Sequence, residues 1–125
     1  MTVLDTSVLI DSLSGSKRSA MSLRVAIERG ERILIPSLVL YEWLRGPRLP
    51  SELAAQEALF PLDTAVAFGP REASLSAELY RVMKSPRGRE IDVAIAACAI
   101  VRDAALWTLN TADFRDIPKL RLASF

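Results

Sequence analysis

The sequence predicts a three-layer α/β/α fold around a central, mostly parallel sheet of four to five strands. Three observations predict it. Short apolar runs alternate with longer segments of helical spacing along most of the 125 residues, and that alternation favours parallel strands joined by crossover helices. The length and a hydrophobic content of 50% suit one core, so residues 1–125 read as a single domain, without repeat, low-complexity tract or linker. Isolated acids also stand at or beside the apolar runs, where open parallel sheets collect ligands at the carboxyl ends of their strands.

Each element has a local reason. Val3-Leu4 reads as a buried strand that ends at Asp5, and Thr6-Ser7 offers a helix start. The polar stretch Ser14-Gly15-Ser16-Lys17 breaks the chain before a helix bearing Met21, Leu23, Val25 and Ile27, which Gly30 stops. Arg32-Ile33-Leu34-Ile35 is the second strand. Pro36-Ser37 leads into a helix whose only acid is Glu42, set among Leu38, Val39, Leu40, Tyr41, Trp43 and Leu44. Gly46-Pro47 and Pro50-Ser51 bracket a loop. Helices follow over Glu52–Leu59 and Thr64–Met83, parted by Pro61, with a bend or boundary at Gly69-Pro70. Glu90–Val101 reads as a buried helix and Ala105–Leu109 as a strand. Asn110–Asp113 is then a loop, and Leu120–Ala123 adds an edge strand.

The composition removes several classes of function. No apolar run approaches the roughly 20 residues needed to span a bilayer, despite a mean hydropathy of +0.22. The start of the chain lacks the basic lead-in of a secretory signal, so a soluble cytoplasmic protein is expected, with no membrane partner. Sixteen basic and fifteen acidic residues leave a formal charge of +1, so any polyanion must be held by local patches. The lone Cys98, among alanines, excludes an internal disulfide and reads as packing. The chain has no histidine. That excludes Ser-His and Cys-His catalysis and leaves carboxylate chemistry.

Four acids carry that chemistry: Asp5, Glu42, Asp92 and Asp113. Each sits at the edge or in the middle of an apolar run, where desolvating an unpaired carboxylate costs several kcal/mol or forces protonation. Asp5 and Asp113 follow strands at the ligand-collecting end. Glu42 lies about one turn into the helix after the second strand and Asp92 near the start of the helix before the Trp107 strand, positions from which each could turn toward the same opening. Four carboxylates in one cleft repel one another unless a positive charge of comparable size sits between them. Mg²⁺ or Mn²⁺ supplies it, taking oxygen ligands while keeping waters that leave room for a phosphate oxygen. Such a site suits phosphodiester hydrolysis by a metal-activated water. Thr6, Ser7, Thr108, Asn110 and Thr111 stand beside the acids, placed to orient carboxylates or waters.

The stretches Leu4-Asp5-Thr6-Ser7, Asp92-Val93-Ala94-Ile95-Ala96-Ala97 and Thr108-Leu109-Asn110-Thr111-Ala112-Asp113-Phe114 resemble, in order and spacing, those of the PIN-domain ribonucleases. The likeness runs nearly end to end and is strongest to the VapC-type toxins of bacterial toxin–antitoxin pairs. It implies a PIN-like fold and an acidic cluster of Asp5, Glu42, Asp92 and Asp113 serving as both catalytic residues and metal ligands. Ser7 and Thr108 would be polar neighbours of the metal, and Glu42 rests on a looser motif than the others. The likeness further implies an Mg²⁺- or Mn²⁺-dependent endoribonuclease acting on RNA, a homodimer, and silencing by a cognate antitoxin protein. One departure is Arg87-Gly88-Arg89-Glu90-Ile91, shorter before the third acid than in many relatives. It brings Glu90 within reach as a competing or accessory acid.

Other readings compete. Asp5 alone serves equally as a helix cap, Glu42 as a solvated helix residue, Asp92 as a favourable charge at a helix start and Asp113 as a turn residue. None of these accounts for all four together. Trp43 and Trp107 read as core rather than nucleobase platforms. Arg45, Arg48, Lys84, Arg87 and Arg89 flank the acids and are candidate RNA-backbone contacts, against the ordinary alternative of a solvated face. An aspartyl-phosphate phosphatase ranks lower, because Ser7 stands where that chemistry wants a second acid. A non-catalytic PIN-like protein- or RNA-binding module is the remaining alternative. Apolar residues along Leu9–Leu13 and Leu53–Leu59 offer an antitoxin a surface that a small domain leaves uncovered.

Overall fold

A computed structural model describes residues 1–125. Three parallel strands, β1 (Thr2–Leu4), β2 (Ile33–Leu34) and β3 (Ala105–Trp107), form a sheet in the order β2-β1-β3. Thr2 and Val3 pair with Ile33 and Leu34 on one side, while Thr2, Val3 and Leu4 pair with Ala105, Leu106 and Trp107 on the other. β1 is therefore central, and the crossover toward β2 and the return to β3 leave on opposite sides of it. A parallel sheet opens a ligand cleft where its winding reverses, here beyond the carboxyl ends of β1 and β3.

Four to five strands were expected and three form. The two outer lanes shrink to single parallel bridges, Pro36 with Val66 and Leu106 with Leu122. Pro36 has no N–H to extend a ladder. At the other edge the chain touches Leu106 through two bonds of 2.8 Å, donated by Leu106 N to Arg121 O and by Ala123 N to Leu106 O, just after Lys119 turns with φ +69°. The expected edge strand at Leu120–Ala123 is thus one rung.

Seven helices surround the sheet: α1 (Thr6–Leu13), α2 (Ala20–Glu28), α3 (Ser37–Arg45), α4 (Pro50–Leu59), α5 (Pro70–Val82), α6 (Glu90–Val101) and α7 (Thr111–Phe114). α4 and α5 start alike. Pro50 and Pro70 occupy first-turn positions that need no N–H donor, and Glu52 and Glu72 reach back to accept from Leu49 N (2.8 Å) and Gly69 N (3.1 Å). Gly69-Pro70 is accordingly a helix boundary. The span expected as one helix from Thr64 splits into a 3₁₀ turn at Leu62–Thr64, an extended link and α5. α2 ends on Gly30 at φ +86°, with Glu31 N donating to Ala26 O (3.0 Å) in a left-handed helix stop.

α6 is the axis of the molecule. Val93 through Ala99 are all buried, because β1 and β3, α3, α5 and α7 all pack against this helix. Four alanines in that stretch let neighbours approach closely, and Cys98 is fully enclosed. The core runs through Val3, Leu4, Leu9, Trp43, Ile95, Leu106 and Phe114. Both tryptophans belong to it, Trp43 with no exposed surface and Trp107 with 6%.

Candidate active site

Asp5 leaves the end of β1 and is 4% exposed. It occupies the N-cap position of α1 in extended conformation, but its side chain caps nothing. The Ser7 hydroxyl donates to Asp5 Oδ2 at 2.8 Å and the Thr108 hydroxyl donates to the same oxygen at 2.7 Å. Backbone amides set those hydroxyls in turn: Leu109 N donates to Ser7 Oγ (3.0 Å) and Asn110 N to Thr108 Oγ1 (2.9 Å). The β1–β3 register makes this possible, since it places residues 5 and 108 side by side beyond the strand ends. Hydroxyls that donate to a carboxylate fix its orientation.

Glu42 enters from α3. Thr6, the first residue of α1, donates to Glu42 Oε1 at 2.5 Å, and Arg45 lies 3.5 Å from Oε2. Asp92 stands in the first turn of α6, partly buried. Burial pushes its carboxyl up, and the negative charges of Asp5, Asp113 and Glu42 push it further, to about 6, with Arg89 acting in the opposite sense. That single group registers all three other acids, so four segments remote in sequence bring their carboxylates into one electrostatic neighbourhood. Asp113 is exposed and rides on α7 rather than in the loop expected at Asn110–Asp113. Glu90 turns back to accept from Gly88 N at 3.1 Å.

The donor set is all carboxylate and hydroxyl oxygen, with no histidine and with its only thiol enclosed elsewhere. Hard divalent cations such as Mg²⁺ and Mn²⁺ take such ligands, and one would relieve the mutual repulsion that lifts Asp92. The residues fit that group in kind and charge. As the side chains stand, no three acids are gathered tightly enough to grip an ion, so binding would draw them inward. None of the four apolar-lined hollows on the surface is bordered by these acids.

The flanking cations divide. Arg48 stacks on Trp43 at 4.2 Å and donates to Trp43 O at 2.8 Å. Arg45 lies over the Tyr41 ring at 5.2 Å. Arg89, read from sequence as a candidate RNA contact, is committed within the fold: it grips both Asp116 oxygens at 2.9 and 2.6 Å and donates to Asp113 O at 2.7 Å. Lys84 and Arg87 are exposed. Nothing in the local sequence signals the Arg89–Asp116 pair, whose members lie 27 residues apart.

A PIN domain family model matches residues 2–120. The chain is 38% identical over 123 residues to Ribonuclease VapC19 of Mycobacterium tuberculosis, covering 97% of this chain and 98% of that one. Its fold is similar to that in the DNA-bound VapBC complex from Salmonella typhimurium (TM-score 0.74, 25% identity, 98% of this chain and 96% of that one). It is similar also to that in VapBC2 from Rickettsia felis bound to a promoter DNA fragment (TM-score 0.73, 20% identity, 99% and 98%).

Proposed function

The chain belongs to the PIN-domain family, and from that premise we propose that it is a metal-dependent endoribonuclease, the toxin of a toxin–antitoxin pair working in the cytoplasm. The observation that carries this reading is the meeting of Asp5 with Ser7 and Thr108, and of Glu42 with Thr6, at the carboxyl ends of β1 and β3, with Asp92 and Asp113 in the first turns of the packed helices α6 and α7. The name of the mycobacterial relative supports RNA as substrate, and the VapBC neighbour at 25% identity supports an antitoxin partner.

Asp5, Asp92, Asp113 and Glu42 would hold the ion. Bound Mg²⁺ or Mn²⁺ would offset charge on the scissile phosphate and lower the pKa of an attacking water. The chain's own contribution is positional. Ser7 and Thr108 fix one oxygen of Asp5, leaving Oδ1 without a side-chain partner, and Thr6 sets the rotation of Glu42. Lys84 and Arg87 are the free cations nearest in sequence to Asp92 and the candidates for RNA phosphates. The test is cleavage of RNA with Mg²⁺ or Mn²⁺ by wild type, Asp5→Asn and Asp92→Asn. Loss of cleavage in both variants is the expected outcome, and equal cleavage by all three proteins overturns it.

The antitoxin has a suitable seat. A groove of about 350 Å³ between α1, α2 and α4 is lined by Leu13, Ala20, Leu23, Ile27 and Leu59, an apolar lining of the kind that takes anchor side chains of an amphipathic helix. It contains residues from both stretches that the sequence marks as uncovered. The homodimer belongs to the same reading, with exposed Tyr41, Leu44 and Leu62 as its apolar face.

A further inference from the structure

α7 is one turn of four residues with no side-chain cap. A helix that short does not hold itself in water. Two anchors hold it: Phe114, 1% exposed in the core, and the guanidinium of Arg89, which donates to Asp113 O at 2.7 Å and clasps both oxygens of Asp116 just beyond the turn. Arg89 itself is the N-cap residue of α6 and adds a longer bond to Ser85 O at 3.4 Å. Paired donors meeting a carboxylate in a fork constrain direction as well as distance, which a lysine cannot do.

We propose that Arg89 is a positioning residue of the nuclease site: it ties the start of α6, which carries Asp92, to the turn of α7, which carries Asp113, and so sets the spacing of these two acids. This rests on the metal-dependent reading above. The sign of its effect separates it from simple electrostatics. A cation beside an ion-binding cluster repels the ion, so as a mere charge Arg89 weakens metal binding and its removal strengthens it. As a clasp its removal lets α7 drift and weakens binding.

The experiment is calorimetric titration of the folded protein with Mn²⁺ alone, on wild type, Arg89→Gln, Arg89→Lys, Asp116→Asn and the double variant Arg89→Gln/Asp116→Asn. Melting temperature monitors the fold, and amide exchange over residues 111–116 is followed without metal. Arg89→Gln and Asp116→Asn should each weaken Mn²⁺ binding about tenfold, the usual effect of losing a support behind a ligand. The double variant should be no worse than either single one, and Arg89→Lys should recover only part. Exchange over 111–116 should quicken in each single variant. Mn²⁺ binding by Arg89→Gln equal to or tighter than wild type overturns the proposal alone, as does a loss confined to RNA affinity. A wild type that binds no Mn²⁺ overturns the nuclease reading and this inference with it.

Discussion

At Asp92 the molecule carries a charge it would fold better without. The native carboxyl sits near 6 against an ordinary value of 3.8, so the native state binds this proton more tightly than the unfolded chain does. Its contribution without metal is therefore unfavourable above pH 6, where both states are ionised, and fades as pH falls toward 4. Asp92→Asn should stabilise the EDTA-treated protein at pH 8 by about 1 kcal/mol, allowing for partial exposure of the group. The gain should vanish near pH 4 while RNA cleavage is lost at every pH. Urea melts at the two pH values check the first part. The four acids were legible because apolar neighbours make lone charges conspicuous. Which hydroxyls hold them was only partly so: Ser7 and Thr108 meet Asp5 as their adjacency suggests, whereas the side chains of Asn110 and Thr111 bond to no other group in the fold. The partner of Arg89 was hidden for the opposite reason, since an arginine in a basic stretch looks solvated until the fold brings Asp116 to it.

Among the elements, α6 was readable end to end because a run of buried small and branched residues has strong signals at both limits. The sheet was overcounted because apolar runs of two to five residues look alike whether they form a ladder or a single rung, and only the fold decides how far neighbours run alongside. α7 escaped notice for want of length. The joint between α5 and α6 gives a sharp expectation. Glu72, 5% exposed, starts α5 and receives Arg102 Nη1 at 2.8 Å from the end of α6. Burial pushes this carboxyl up, but hydrogen bonds from the backbone and from Arg102 outweigh it and hold the group below the usual range. The stability it lends is thus present above pH 4.5 and lost as pH falls through its native pKa. Arg102→Ala should cost about 2 kcal/mol at pH 7 by leaving a buried carboxylate without its partner. The difference from wild type should narrow below pH 4, as denaturant melts at both pH values would reveal.

Across the whole molecule the four acids and the apolar groove use different residues, so the silencing and catalysis proposed above should be separable by mutation. Ile27 and Leu59 border the groove and are 39% and 46% exposed, so charges there leave the core intact. Ile27→Asp and Leu59→Asp should each weaken binding of the co-expressed antitoxin at least about tenfold. Neither should alter RNA cleavage by the free protein. Titration of the purified partners measures the first effect and a cleavage assay the second; unchanged affinity would move the antitoxin elsewhere.

The pairing of β1 with β3 also sets when the cluster can form. The Asp5–Thr108 bond spans 103 residues, and the central strand lacks its second neighbour until β3 docks against it. A folding chain therefore carries an incomplete cluster of acids until β3 has taken its place beside β1.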